Sequence, residues 1–157
     1  MLMKKVLRMT LVLIMALVAN VAMAQKVVTF TAGTDKGSQA TVAGADNVEK
    51  DGISISSDKG AFAAKEYRLG QGSKTTFSTT NGTITQIVFN CTASADAKKY
   101  GPNCIETTTG KYTYEGMTGT WTGAATQVEF AAKAQLRAKS IKVTIALGGD
   151  FVATPVI

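Results

Sequence analysis

The chain has 157 residues, a length that suits one domain, and 45% of them are hydrophobic while 18% are charged. This composition is too hydrophobic and too weakly charged for a disordered chain. The sequence contains no histidine and only two cysteines. It therefore excludes serine–histidine catalysis, histidine-ligated metals and a four-thiolate zinc site.

The first residues have the features of a secretory signal peptide. Lys4, Lys5 and Arg8 precede an uncharged run over residues 9–21, and Ala22-Met23-Ala24 supplies small residues for cleavage. The run is shorter than the roughly 20 apolar residues that cross a membrane. We therefore expect removal of residues 1–24 and a single domain over residues 25–157, with no membrane span. The domain is expected in the periplasm, on the cell surface or outside the cell.

The net charge of +6 falls to about +3 without the three basic residues of the signal segment. The remaining lysines and arginines are spread along the chain rather than clustered. A nucleic-acid surface would need them on one face. Nucleic acid is therefore not an expected partner.

Short alternating runs rich in threonine, valine and isoleucine predict about nine β-strands, separated by turns. They cover residues 28–30, 53–56, 67–69, 74–80, 83–91, 111–114, 120–122, 127–131 and 140–147. In the last run, Ile141, Val143 and Ile145 are expected to face inward. The pattern predicts an all-β fold, specifically an antiparallel β-sandwich or jelly roll.

Several connections are predicted from turn residues and composition. Asn81-Gly82 indicates a hairpin between the strands on either side. Residues 45–50 and 95–99 are candidate short helices. Residues 131–140 have a helix-compatible composition, but we expect a hairpin turn there because strands lie directly on both sides. The apolar residues 151–157 are expected to pack as an edge segment.

Cys91 and Cys104 are the only cysteines of a chain that we expect to be exported. An isolated pair in an oxidising compartment usually forms a disulfide. A redox-active pair is the alternative, although such pairs favour closer Cys-x-x-Cys spacing. We predict a structural disulfide.

Trp121, the only tryptophan, is flanked by Gly119 and Gly123 and could serve either as a sugar-stacking platform or as a core residue. The same alternatives apply to Tyr112 and Tyr114, which alternate on one strand. Tyr67 and Tyr100 lie in turn-like contexts. The candidate ligand-binding residues are Trp121, Tyr112, Tyr114, Tyr67 and Tyr100.

Acidic residues allow two further tests. The loop aspartates are Asp35, Asp46, Asp51, Asp58 and Asp96; none has the spacing of a calcium loop, and turn formation explains them. A glycosidase would need two facing carboxylates about 5–10 Å apart. Candidates for that pair are Glu66, Glu106, Glu115 and Glu129, but nothing in the sequence pairs them. We predict no catalytic residue, no metal site and no cofactor.

Two stretches together carry a recurring structural pattern. The first comprises Asp51-Gly52-Ile53-Ser54-Ile55, residues 66–73 and residues 84–89. The second comprises Gly116-Met117-Thr118-Gly119-Thr120-Trp121-Thr122-Gly123, then residues 128–130 and 141–143. In these segments the chain resembles modules of secreted and surface proteins of Bacteroidetes. The resemblance implies a jelly-roll sandwich comparable with carbohydrate-binding modules. It is a structural pattern and carries no catalytic signature.

Two functions follow as expectations. The first is a secreted, non-catalytic binding module with glycan as the leading ligand class. The second is a structural or protein-interaction domain of the bacterial cell envelope. Exposure of Trp121 separates them, since a platform has to be accessible. The sequence does not predict an oligomeric state.

Overall fold

A computed structural model of the chain describes residues 24–40 and 42–148. Residues 1–23 of the predicted signal peptide, which spans residues 1–24, lie outside this range, as do residue 41 and residues 149–157 with the predicted edge segment over 151–157. The described part contains eleven β-strands, a single 3-10 turn at Pro102–Cys104 and no α-helix. The strands are β1 (Gln25–Thr31), β2 (Gly44–Lys50), β3 (Ile53–Ala61), β4 (Tyr67–Leu69), β5 (Lys74–Thr79), β6 (Thr83–Cys91), β7 (Ile105–Glu106), β8 (Lys111–Glu115), β9 (Thr118–Ala125), β10 (Gln127–Ala132) and β11 (Leu136–Ala146).

All strands belong to one antiparallel sheet that nearly closes on itself, in the manner of a barrel. One run of five strands follows the order β2-β3-β5-β10-β7, and a second run follows the order β1-β11-β6-β9-β8. The short strand β4 connects the two runs, because it pairs with the end of β3 and the start of β11. The predicted all-β antiparallel class is confirmed.

The core lies between the two runs and is rich in aromatic side chains. Phe77 on β5 contacts Phe89 on β6, with ring centroids 5.7 Å apart, although these strands are not paired. Phe130 on β10 contacts the same two rings at 5.6 and 5.2 Å. These edge-to-face contacts fix the spacing of the two runs. Ile141, Val143 and Ile145 point into this core, as predicted.

The segment over residues 45–50, predicted as a helix, is instead part of strand β2. Asp51 and Gly52 both have positive φ, 50° and 82°, between the paired residues Lys50 and Ile53. Two such residues form the tight turn that matches the twist of a hairpin. The turn therefore requires a strand before it, and the helix prediction was wrong. The second predicted helix, over residues 95–99, is also wrong, since that segment consists of turns and bends.

Two predicted hairpins are also wrong. Strands β5 and β6 flank Asn81-Gly82, yet β5 pairs with β3 and β10 while β6 pairs with β11 and β9. This turn therefore carries the chain from one run of strands to the other. The turn between β10 and β11 contains no helix, as expected, but these strands do not pair with each other either. A turn sequence determines the local chain reversal, whereas the packing of the core determines which strands pair.

Candidate functional site

Trp121 lies in the core, where its side chain is only 1% exposed. Its ring nitrogen Nε1 donates a hydrogen bond of 2.7 Å to the carbonyl of Thr109. Gly110 and Gly123 lie so close to the ring that a Cβ on Gly123 would be 2.7 Å from it. Gly123 therefore allows the backbone to pack closely against the Trp121 ring, and the ring is not accessible for stacking on a sugar.

Two of the candidate tyrosines are held by internal contacts. Tyr67 is fully buried, and its hydroxyl lies 3.5 Å from a carboxylate oxygen of Asp35. Burial, together with the charge of Asp35, raises the pKa of Tyr67 well above its usual range. Tyr112 is half-buried and donates a hydrogen bond of 2.7 Å to the carbonyl of Pro102. Its pKa is raised as well, chiefly by burial and then by the nearby Cys91.

The remaining two tyrosines reach the surface. Tyr114 on β8 is 50% exposed and leans toward Tyr112, with ring centroids 6.0 Å apart. Tyr100 is half-buried beneath the guanidinium of Arg137, which lies 4.0 Å from the ring centroid. This cation–π contact occupies one face of the Tyr100 ring. Tyr114 is thus the one predicted tyrosine whose exposed ring could contact a ligand.

Cys91 and Cys104 are brought together but remain free, buried thiols in the structure. Burial, and secondarily the proximity of Cys104, raises the pKa of Cys91 to about 12. A thiol with that pKa carries almost no thiolate at neutral pH and is a poor nucleophile. The predicted disulfide is therefore not present in the structure and stays a prediction for the exported protein.

Two of the aspartates that were expected in loops bind lysines and backbone groups; Asp35 follows β1, whereas Asp46 lies on β2. Asp46 forms an ion pair with Lys36 and accepts a hydrogen bond of 2.8 Å from the backbone of Phe62. Asp35 forms an ion pair of 3.0 Å with Lys50 and accepts a hydrogen bond from the backbone of Thr31. These contacts hold Asp35 and Lys36 against β2.

The glutamates considered as a catalytic pair are distributed over three places. Glu66 lies 3.4 Å from Arg137, and Glu115 lies on β8. Glu106 and Glu129 line one shallow groove of about 350 Å³ together with Thr107 and Thr108. Lys133 lies 3.7 Å from Glu106 in an exposed ion pair.

The sequence analysis missed a polar surface on the outside of the second run of strands. The strand registers align its outward residues in cross-strand rows. One row is Glu115, Thr118, Asn90, Ser140 and Thr31, and the next is Thr113, Thr120, Val88, Lys142 and Thr29. Every one of these residues is exposed or half-buried. We call these two rows, together with Thr122, the threonine face.

A groove of about 420 Å³ lies at the β8 end of the threonine face. Thr113, Tyr114, Glu115, Thr118 and Thr120 line it. The signal for this surface was present in the alternation of threonines at 118, 120 and 122. Its extent was not visible, because the rows depend on pairing between strands that are distant in the chain.

Comparison of the chain with known protein families finds no match, and no curated protein sequence matches it. Over residues 24–40 and 42–148, no helix has the length and hydrophobicity that a membrane crossing requires.

Proposed function

We propose that the chain is a secreted, non-catalytic binding module with glycan as its ligand class, and that the threonine face is its binding surface. The observation that carries this proposal is the threonine face itself, which places hydroxyl and amide groups in rows across five strands.

The spacing of this surface suits an extended polar polymer. Neighbouring strands lie about 4.8 Å apart, and alternate residues along one strand lie about 7 Å apart. Hydroxyls of Thr118, Thr120 and Thr122 therefore form a regular array of groups that both donate and accept hydrogen bonds. Sugar hydroxyls have the same dual chemistry.

The acid–base groups of the molecule favour binding over hydrolysis. Glu115 is the sole carboxylate of the threonine face, whereas retaining and inverting glycosidases use two. Glu106 and Glu129 line a different groove together, and there Lys133 pairs with Glu106.

The architecture and location belong to the same proposal. We infer that the two runs of strands form a jelly-roll sandwich, as in the Bacteroidetes modules that the sequence resembles. We also infer export through removal of residues 1–24. Contacts between Phe77 on one run and Phe89 on the other support a two-layer core. A structural or protein-interaction role in the cell envelope is the second candidate, favoured by the burial of Trp121.

A binding screen of residues 25–157 against a panel of neutral and acidic polysaccharides tests the glycan proposal. The variant Thr120→Arg places a long charged side chain in the middle of the threonine face and should weaken binding at least tenfold. Thr76→Arg is the matched control, because Thr76 is a half-buried, outward residue on β5 of the other run. Absence of binding across the panel, or equal loss in both variants, would contradict the proposal.

A further inference from the structure

A sheet that nearly closes has free strand edges, and most edges of this one are blocked. On β1, the carbonyl of Thr29 accepts a hydrogen bond of 2.8 Å from Lys50 Nζ. On β2, the carbonyl of Asn47 accepts one from Lys36 Nζ. Strand β7 is only two residues long. Lysine side chains that bind the carbonyls of an edge strand, and edge strands that are very short, prevent one sheet from pairing with another.

The edge of strand β8 is not protected in either of these ways. It pairs with β9 alone, and within residues 24–40 and 42–148 its backbone makes no hydrogen bond to any other segment or side chain. Alternate backbone groups of its five residues therefore point away from β9 without a partner. Lys111, Thr113 and Glu115 are exposed, and neither charged residue forms an ion pair within the described part of the chain.

The sequence of β8 is complementary to itself. It consists of Lys111, Tyr112, Thr113, Tyr114 and Glu115, so that charge of opposite sign stands at equal distances from the central threonine. We propose that two copies of the chain pair antiparallel through β8, with the two-fold axis at Thr113.

In this register every residue of β8 faces a favourable partner residue in the other copy. Lys111 of each copy faces Glu115 of the other copy, so two ion pairs form across the seam. Thr113 faces itself, and Tyr112 faces Tyr114 of the second copy. Opposite charges and aromatic pairs are the favourable cross-strand pairs of antiparallel sheets. A contact of this kind uses the same surface on both subunits and closes as a dimer.

The dimer would join the second runs of both copies into one ten-stranded sheet. The two threonine faces would then lie side by side. The inference stands independently of the glycan proposal, because it rests on the backbone edge and charges of β8 and its tests contain no glycan.

Sedimentation velocity of residues 25–157, over about 5–500 μM, tests the pairing. We expect a reversible monomer–dimer equilibrium. Lys111→Glu places carboxylates opposite each other, and Glu115→Lys places ammonium groups opposite each other. Each variant alone should therefore show a dimer Kd at least tenfold higher, which corresponds to a loss of about 1.4 kcal/mol of association free energy. An equimolar mixture of the two variants restores opposite charges and should recover the dimer. Lys142→Glu, on β11 away from the edge, is the control.

A cysteine at the two-fold axis tests the register. Paired residues of an antiparallel sheet have Cα atoms about 4.5–5.5 Å apart, which a disulfide can span. Thr113→Cys should therefore form a covalent dimer under mild oxidation, with position 113 as the cross-linked site by peptide mass mapping. Thr120→Cys, one strand further in, should not cross-link. A wild-type chain that remains monomeric at 500 μM, or charge variants that dimerise as the wild type does, would overturn the proposal.

Discussion

Replacement of Trp121 by alanine tests whether this residue supports the core or contacts a ligand. The side chain is 1% exposed, and its ring nitrogen is hydrogen-bonded to the carbonyl of Thr109. Removing a buried tryptophan costs about 3–5 kcal/mol, because transfer free energy is lost and a cavity remains. For a domain of this size, 1 kcal/mol corresponds to about 4 °C in Tm. We therefore expect Trp121→Ala to lower Tm by about 12–20 °C.

The measurement is thermal unfolding of residues 25–157 followed by circular dichroism. Thr122→Ala is the matched control, since Thr122 is the exposed neighbour on the same strand and should change stability by less than about 0.5 kcal/mol. Trp121 is the only tryptophan, so its fluorescence reports directly on burial. Emission from the wild type should be poorly quenched by acrylamide. A Trp121→Ala protein that melts within about 2 °C of the wild type would refute the core assignment.

Three further results are expected. Protein isolated from an oxidising compartment should show no titratable thiol after unfolding, because Cys91 and Cys104 lie together; two thiols would contradict the predicted disulfide. Burial raises the pKa of Asp46, but hydrogen bonds to its carboxylate outweigh burial and lower that pKa below 3.8. The stability it contributes is thus complete above pH 3.8 and is lost as the pH falls through the folded-state pKa, so Asp46→Asn should flatten the acid side of a Tm–pH profile. Gly119→Ala should cost about 1–3 kcal/mol in chemical denaturation, since its Cβ would collide with the hydroxyl of Tyr112.

The local alternation of residues was enough to predict most strands. Strand β6 has the predicted bounds, and Ile87 and Phe89 face inward as the alternation indicates. Simple alternation would place Thr85 on the same face as Ile87 and Phe89, but Thr85 is only half-buried, while Ile84 is buried. The register shifts there relative to both β9 and β11. Such a bulge changes which side chains face the core, and it has no signature within β6 itself.

Strand neighbours were not predictable from the same information. The turn at Asn81-Gly82 has a strong hairpin sequence, and Gly82 has the expected positive φ of 84°. The strands on either side nevertheless separate, because Phe77 and Phe89 meet across the core rather than along one sheet. Burial of apolar rings outweighs the local preference for hairpin pairing.

The candidate site was difficult to predict for a related reason. An aromatic residue on an alternating strand can be core or platform, and only the packing of Trp121 against Gly123 and the carbonyl of Thr109 decides between them. The threonine face is a property of register. Thr120, Val88 and Lys142 become neighbours through pairings between strands that lie far apart in the sequence.

The distribution of aromatic rings constrains how a glycan would be held. With Trp121 and Tyr67 in the core, the exposed ring of Tyr114 projects from β8 on the side opposite to the threonine face, which itself contains no aromatic side chain. Recognition would then depend mainly on hydroxyl and amide groups, which exchange hydrogen bonds with water for similar bonds with sugar and gain little net free energy each. A single face would therefore bind weakly. Two faces joined through β8 would contact one polymer together, and the second contact would be intramolecular, which raises overall affinity without any new type of contact. A glycan-binding role for this surface is thus best served by the paired form, and the charge variants of β8 should lower avidity for long polymers more than for short oligosaccharides.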